Sequence, residues 1–542
     1  MTRLADMRRA PRRPAGIGSR SAAMLFAAAA MAAVMGVAGC AIGPDLGPDA
    51  VTGGGGGGDA APSSSKAAPA PPALGAPKTD LGWKDCARPS AARFGVPAPG
   101  GVTVECAELD VPANPDNPTG DTLTVALTRA RVAATPKDAA PLVLTSGSDL
   151  PSSRTLLLLA SGPGRSLLSQ HPVVAIDRRG TQTSGDLDCM TRIERSAMSR
   201  NGLPEAGASG QSERISRLAR AASSASDGCT ETLTPHQLDF GAAFAAADIE
   251  ALRIRWGVDH LGLIGVGEGS DVVLAYASNY SGRAGRIILD TPTAFGSNAR
   301  DRAAAQATGV QAALRSFAQS CAAAGSCPLG ADGMATIGDV LAKGRTGGLG
   351  GLSDTQALSA ITTALALAPN RPQAVTDLAS AVADADRGDT AALKALTERA
   401  EGLRTSDGQL VSRCNDVSGP IGQNEIPGLI DAWTKQNPLT GADSALSMLR
   451  CNGWASATPT NPPNALPIDP LVLAGANDPV NGAGGADALK ALFIKAGVTP
   501  TTVSWDGLGY SVLARSGCAA DTVTQYLGDQ PLGEPTERGC PT

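Results

Sequence analysis

Histidine is almost missing from this chain: three in 542 residues, at His171, His236 and His260. None of them lies among the cysteines and no Cys-x-x-Cys pair occurs, so the ligand spacings of a zinc site are absent. Lysine is scarce as well, nine residues against 36 arginines, and the 51 acidic residues outnumber the 45 basic ones. That balance leaves no basic surface to hold nucleic acid, and no nucleic-acid partner is expected. Six glycines at 53 to 58 have no strand before them and no Gly-Lys-Ser/Thr after them, which argues against a phosphate loop. Nothing calls for a metal or a cofactor. The one long apolar run, SAAMLFAAAAMAAVMGVAG, is too short and too rich in small residues for a good membrane span.

What is present begins with that run. It follows a basic stretch (Arg3, Arg8, Arg9, Arg12, Arg13, Arg20) and ends in Val37-Ala38-Gly39-Cys40, which resembles the bacterial lipobox. The resemblance implies an export signal over 1–39, cleavage before Cys40 and a diacylglycerol on its sulfur. The expected location is the outer face of the cell membrane, held there by the lipid. Residues 40–80 are Gly-, Pro- and Ala-rich with almost nothing to form a core, and read as a disordered tether. Loss of the signal removes six arginines and one aspartate, leaving 39 basic and 50 acidic residues and a net charge of −11.

Ten cysteines remain once Cys40 is set aside, an even count that in an exported chain argues for disulfides. Connectivity does not follow from sequence. Nearest neighbours give the simplest proposal: Cys86 with Cys106, Cys189 with Cys229, Cys321 with Cys327, Cys414 with Cys451, and Cys518 with Cys540.

Short β-branched runs punctuate the chain: VTVECAELDV, DTLTVALTRARV, PLVLTSG, PVVAIDRRG, HLGLIGVG, GRIILDTP, DPLVLAGANDP and TTVSWDG. The first two read as an antiparallel pair, and the others alternate with helical patterns, as in a mostly parallel α/β sheet. Between Phe295 and Leu466 only Ala-rich amphipathic segments occur, with Ser353, Asp354 and Asp389 available as N-caps. The expected layout is a sheet core in two parts, 81–295 and 466–542, with a helical cap over 296–465. A ligand crevice then lies at the carboxyl ends of the strands, beneath the cap.

At 265–270 the chain reads GVGEGS between a strand and a helix, the setting of a nucleophile elbow, G-x-S-x-G, with Gly267 where the serine belongs. With VVAIDRRGTQTSGDLDC, RIILDTP, RCNDV, CNGW and LVLAGANDPVNGAGGADAL in this order, the chain resembles the α/β-hydrolases of the tripeptidyl and prolyl aminopeptidase type, in their exported actinobacterial branch. The resemblance covers most of residues 80–542. It implies an α/β-hydrolase fold with an inserted helical cap, and a triad in the order Ser, Asp, His. Carried onto this chain, the nucleophile falls on Gly267, the acid on Asp478, and the histidine on Tyr510. All three histidines precede the elbow, so none can serve as the late one.

Substitutes are poor. With a reference pKa near 10, about one Tyr510 in a thousand would be phenolate at pH 7. Ser270 sits too far into the elbow helix to face the crevice. Glu268 and Asp478 form a conceivable carboxylate pair, although Glu268 reads better as a side-facing elbow residue. Where the family has a Gly-Gly-Pro-Gly oxyanion turn, this chain has Ser146-Gly147-Ser148-Asp149, and a carboxylate at Asp149 would oppose an oxyanion. Asp478 is left with a structural role, accepting hydrogen bonds from the loop around Tyr510. The expectation is a protein without conventional serine hydrolysis, binding a peptide or small molecule in the crevice, with Asp149, Glu268 and Asp478 suited to a cationic amine. Two alternatives stand beside it: an active aminopeptidase or esterase using non-standard residues, and an envelope scaffold whose crevice is filled.

Overall fold

The computed structural model describes residues 70–205, 207–368, 371–419, 421–455, 458 and 460–542. The export signal, Cys40 and most of the 40–80 tether lie outside these residues.

The eight β-branched runs are strands, and two short strands join them. In chain order they are β1 (Lys84–Asp85), β2 (Thr103–Pro112), β3 (Thr122–Arg131), β4 (Leu142–Thr145), β5 (Val173–Ile176), β6 (Leu261–Val266), β7 (Ala284–Asp290), β8 (Leu471–Asn477), β9 (Thr501–Leu508) and β10 (Glu537–Cys540). They form one sheet of order β1-β2-β3-β5-β4-β6-β7-β8-β9-β10. From β1 to β5 the pairings are antiparallel, and from β5 to β10 they are parallel. This is a mostly parallel α/β sheet.

Alternation along each central strand feeds two cores. Leu142 and Leu144 of β4 point into one, with Ile264 and Val266 of β6, while Val143 and Leu263 point into the other. Helices cover both faces: Ser152–Ser161 and Gly517–Tyr526 pack on the first, Ala242–Trp256 and Gly269–Asn279 on the second. Both faces of the central strands β4 to β7 are therefore dry, which is why these strands read as unbroken apolar runs.

Between β7 and β8 the described elements are helices, from Ala299–Ala323 to Gly441–Ser447 and the short turn Met448–Cys451. Ser353 caps one of these helices reciprocally with Gln356, and Asp354 lies in its first turn. The roof has two apolar cores. One is built within the insertion, around Phe317, Ile337, Ile361 and Val382. The other joins Val411, Ile426 and Leu449 to Met198, Ile215 and Leu218, so the excursion containing helices Arg192–Ser199 and Gln211–Leu233 is also part of the roof. Sequence reading assigns that excursion to the sheet core, because its helices look no different from those flanking the strands. All five disulfides join the nearest-neighbour pairs. Among the described residues no helix is long and apolar enough to cross a membrane.

Candidate functional site

Four loops leaving carboxyl ends of parallel strands converge under the roof: Ser146 to Asp149 after β4, Gly267 after β6, Asp478 to Asn481 after β8, and Tyr510 after β9. Gly267 has φ +57°, the left-handed geometry of an elbow. A Cβ built there would lie 1.9 Å from Asp149 Oδ2, 2.4 Å from Asn481 Nδ2 and 3.0 Å from the Tyr510 hydroxyl. The position of a nucleophile's side chain is thus filled by side chains from three other loops.

Asp149 is the centre of that cluster, 1% exposed. Its Oδ2 accepts from the backbone N–H of Glu268 at 2.9 Å and from Asn481 Nδ2 at 2.6 Å. In this fold the N–H after the nucleophile is half of the oxyanion hole, and 2.9 Å is the distance at which such a donor holds an oxyanion. One carboxylate occupies both the hole and the space of the missing side chain. The Tyr510 hydroxyl lies 3.3 Å from Asp149 Oδ2 and 3.2 Å from the Val266 carbonyl and donates to one or the other. Burial, then the charge of Glu268, pushes the Asp149 carboxyl up to about 7, against the pull of Arg413. Tyr510 is fully buried, and desolvation with the charges of Asp149 and Asp478 pushes its phenol well above its ordinary value. This environment favours the protonated phenol over the phenolate that a base would need.

The oxyanion loop is itself pinned from above. Gly147 has φ +58°, and a Cβ there would meet the Glu268 carbonyl carbon at 2.5 Å, so the loop lies directly against the elbow. The Ser148 carbonyl accepts from Arg413 Nη2 at 2.6 Å and Gln409 Nε2 at 3.0 Å, both on the roof helix Asp407–Asp416. The Ser148 hydroxyl is buried without a partner among the described residues.

Glu268 faces the crevice but makes no pair with Asp478. Its carboxylate is 3.3 Å from Arg413 Nε. Burial works to raise it, yet Arg413, Arg302 and Arg178 together hold it below its ordinary value. Ser270 is fully buried and bonds back to the Gly265 carbonyl at 3.2 Å.

Asp478 accepts from the N–H groups of Val480 at 2.7 Å and Asn481 at 3.3 Å, within its own loop rather than from the loop around Tyr510. It is fully buried, its Oδ2 has no partner among the described residues, and desolvation pushes it up to about 7. The loop around Tyr510 is instead organised by Asp290 at the end of β7. That carboxylate accepts from Ser511 Oγ and from the N–H groups of Val512 and Leu513, at 2.6 to 3.1 Å. The three histidines stay clear of this cluster: His171 bonds the Ala140 carbonyl, His236 pairs with Asp239, and His260 precedes β6.

Above the cluster is a cavity of about 300 Å³ lined by Asp149, Glu268, Arg302, Arg404, Arg413 and Arg450 among others. Of the three acids offered by sequence for a cationic amine, Asp149 is occupied by N–H donors and Glu268 by Arg413, while Asp478 is buried in its own loop and does not line the cavity. Sequence reading passed over Asn481, Arg404, Arg413 and Arg450. Asn481 stands three residues after Asp478, while Arg413 and Arg450 each precede a cysteine of one disulfide in the repeated tripeptide Arg-Cys-Asn.

A family model described as TAP-like protein matches residues 437–537, a span that contains Asp478 and Tyr510 and not the elbow. The protein named serine protease Hip1 of Mycobacterium tuberculosis is 26% identical over 505 residues, 84% of this chain and 90% of the relative. The Mycobacterium bovis protein of the same name matches to the same extent. Among solved structures, esterase E22 has 15% identity and a TM-score of 0.37, covering 78% of this chain and all of the esterase. The C-terminal part of the chain thus matches the TAP-like model, and most of its length is similar to that serine protease.

Proposed function

We propose that this protein keeps the α/β-hydrolase scaffold without its serine chemistry and uses the capped crevice to bind a peptide or small organic ligand. The observation that carries this reading is the Asp149 carboxylate, which accepts from the Glu268 N–H and stands 1.9 Å from where any Cβ of residue 267 would be. A relative's name implies a nucleophile, a base and a vacant oxyanion hole. In this chain Gly267 offers no nucleophile, Tyr510 is a buried phenol, and Asp149 fills the hole. Loss of triad members costs about 10⁶-fold in a model serine protease, and the residual rate depends on the hole that Asp149 fills. The cavity of about 300 Å³ favours a bound ligand over a scaffold with a filled crevice.

Export as a lipoprotein held through Cys40 completes the proposal. Five disulfides support it, since such bonds persist in oxidising compartments. Cys40→Ala should move the protein from the membrane fraction to the soluble one. An unchanged distribution would remove the anchor.

Activity is tested with the full chain, cysteines oxidised, on nitrophenyl esters and tripeptide arylamides. No turnover is expected. Gly267→Ser with Tyr510→His should also be silent, because Asp149 still blocks residue 267. Adding Asp149→Gly to that pair vacates both the hole and the nucleophile's space, and measurable esterase activity should appear only then. Turnover by the unmodified chain that disappears in Asp478→Ala would overturn the proposal.

A further inference from the structure

The roof brings three arginines to the crevice, and two of them, Arg404 and Arg450, make no salt bridge among the described residues. Arg413 and Arg450 stand immediately before Cys414 and Cys451, whose disulfide brings their Cα atoms to 5.3 Å and so sets the two arginines on one wall. Arg404, the last residue of the preceding helix Ala391–Arg404, lines the same space. All three line both the cavity over Asp149 and a second cavity of about 380 Å³ that shares this wall.

Their partners are incomplete. Arg413 is paired with Glu268. Arg450 donates from Nε to Asn201 Oδ1 at 2.9 Å, and Arg404 donates from Nη1 to Thr363 Oγ1 at 3.3 Å. Neither of these two has a carboxylate within salt-bridge reach among the described residues, and Arg404 Nε is buried without any partner. Two acids of the same lining stand beyond salt-bridge reach of this pair: Asp443, which accepts from Asn201 and Thr355 and is the main opposite charge on Arg450, and Glu401, which accepts from Gln356. Burial, then the neighbouring charge of Arg413, depresses the Arg404 guanidinium against the pull of Asp149, Glu268 and Asp478. The lining also has an apolar part, with Val310, Leu358, Ile421, Met448 and Trp454.

We infer that the crevice binds an organic anion, a carboxylate carried on an apolar tail, whose head is held by Arg404 and Arg450 and whose tail lies against the apolar part of the lining. A planar guanidinium pair matches carboxylate geometry, and burial strengthens the charge-assisted bonds. The inference rests on the reading of the crevice as a binding site and names its ligand class: a free acyl carboxylate and the apolar C-terminus of a peptide share this chemistry.

The test is titration calorimetry of the full chain at pH 7 with octanoate, octanamide, octylamine and acetyl-Leu-Leu. Octanoate or acetyl-Leu-Leu should bind at least about tenfold tighter than octanamide or octylamine, and whichever carboxylate binds tighter tells acyl from peptide. Arg404→Gln with Arg450→Gln should lose at least about tenfold in carboxylate affinity. The Lys versions at both positions keep the charge and should retain most of it, so that a loss through misfolding is recognised; thermal midpoints are read alongside. Equal affinity for octanoate and octanamide, a preference for octylamine, absence of binding by both carboxylates, or Gln variants that fold and bind as the parent does would each overturn it. The two readings fail separately: turnover of nitrophenyl octanoate strikes catalytic silence, and indifference to the probe's charge strikes the ligand class.

Discussion

At residue 267 the backbone and the surroundings make one demand. A φ of +57° costs a non-glycine residue about 1–2 kcal/mol, and a methyl group would also have to displace the Asp149 carboxylate from 1.9 Å. Displacing it breaks the bonds from Glu268 N–H and Asn481, so Gly267→Ala should lose about 3 kcal/mol or more in denaturant titration. Removing the obstruction with Asp149→Gly should restore part of that loss, leaving the backbone strain. An alanine variant as stable as the parent would show that Asp149 does not occupy the nucleophile's space. The missing serine is legible in GVGEGS, but the reason it cannot simply be put back is not. The contact joins residues 118 positions apart on two loops, and no periodicity records it.

Among elements, strands were the most readable. Parallel strands β4 to β7 are buried along their whole length and therefore appear as unbroken apolar runs, while β9, nearer the edge, shows as an alternation of buried and exposed residues. Edge strands β1 and β10 have two and four residues with little apolar content, Lys84–Asp85 and Glu537–Cys540, and carry no such signal. Helices are harder to allot. The amphipathic pattern of Gln211–Leu233 says that one face is buried and not against what; only the contacts of Ile215 and Leu218 with Leu449 place it in the roof. The helix Asp407–Asp416 matters most to the site, since it carries Arg413 and Gln409 onto the Ser148 carbonyl and Arg413 onto Glu268. Its sequence, RCNDV, was legible as a family signature, whereas the charge it brings to the crevice depends on where the disulfide to Cys451 turns it.

Across the whole molecule, buried carboxyls set a pH dependence. Asp149 and Asp478 are pushed up to about 7 and Asp290 to about 6, each chiefly by desolvation, from an ordinary 3.8. Around Asp149 stand Glu268, Arg413, Arg404, Asn481 and Tyr510; around Asp478 stand Asp290, Arg515, Arg404 and Tyr510, and Asp290 in turn meets Ser511 and Arg515. A carboxyl whose folded pKa exceeds its unfolded one binds its proton more tightly when folded. Its stability is therefore full near pH 4, declines as pH rises, and levels off above the folded value of about 7. His236, raised by Asp239 and Asp121, adds to the same trend, while His171, depressed by burial, opposes it. Glu105, Glu194 and Glu268 are depressed and lose their contribution only as pH falls toward and below their ordinary 4.5, outside this window. Thermal midpoints should thus be highest near pH 5 and fall by several degrees to pH 8. Asp149→Asn keeps an acceptor for the Glu268 N–H but cannot ionise, so it should gain on the order of 1–3 kcal/mol at pH 8, little at pH 5, and flatten the profile. A midpoint that climbs steadily from pH 5 to pH 8 would mean that these carboxyls are not held in the dry, crowded state their geometry gives them.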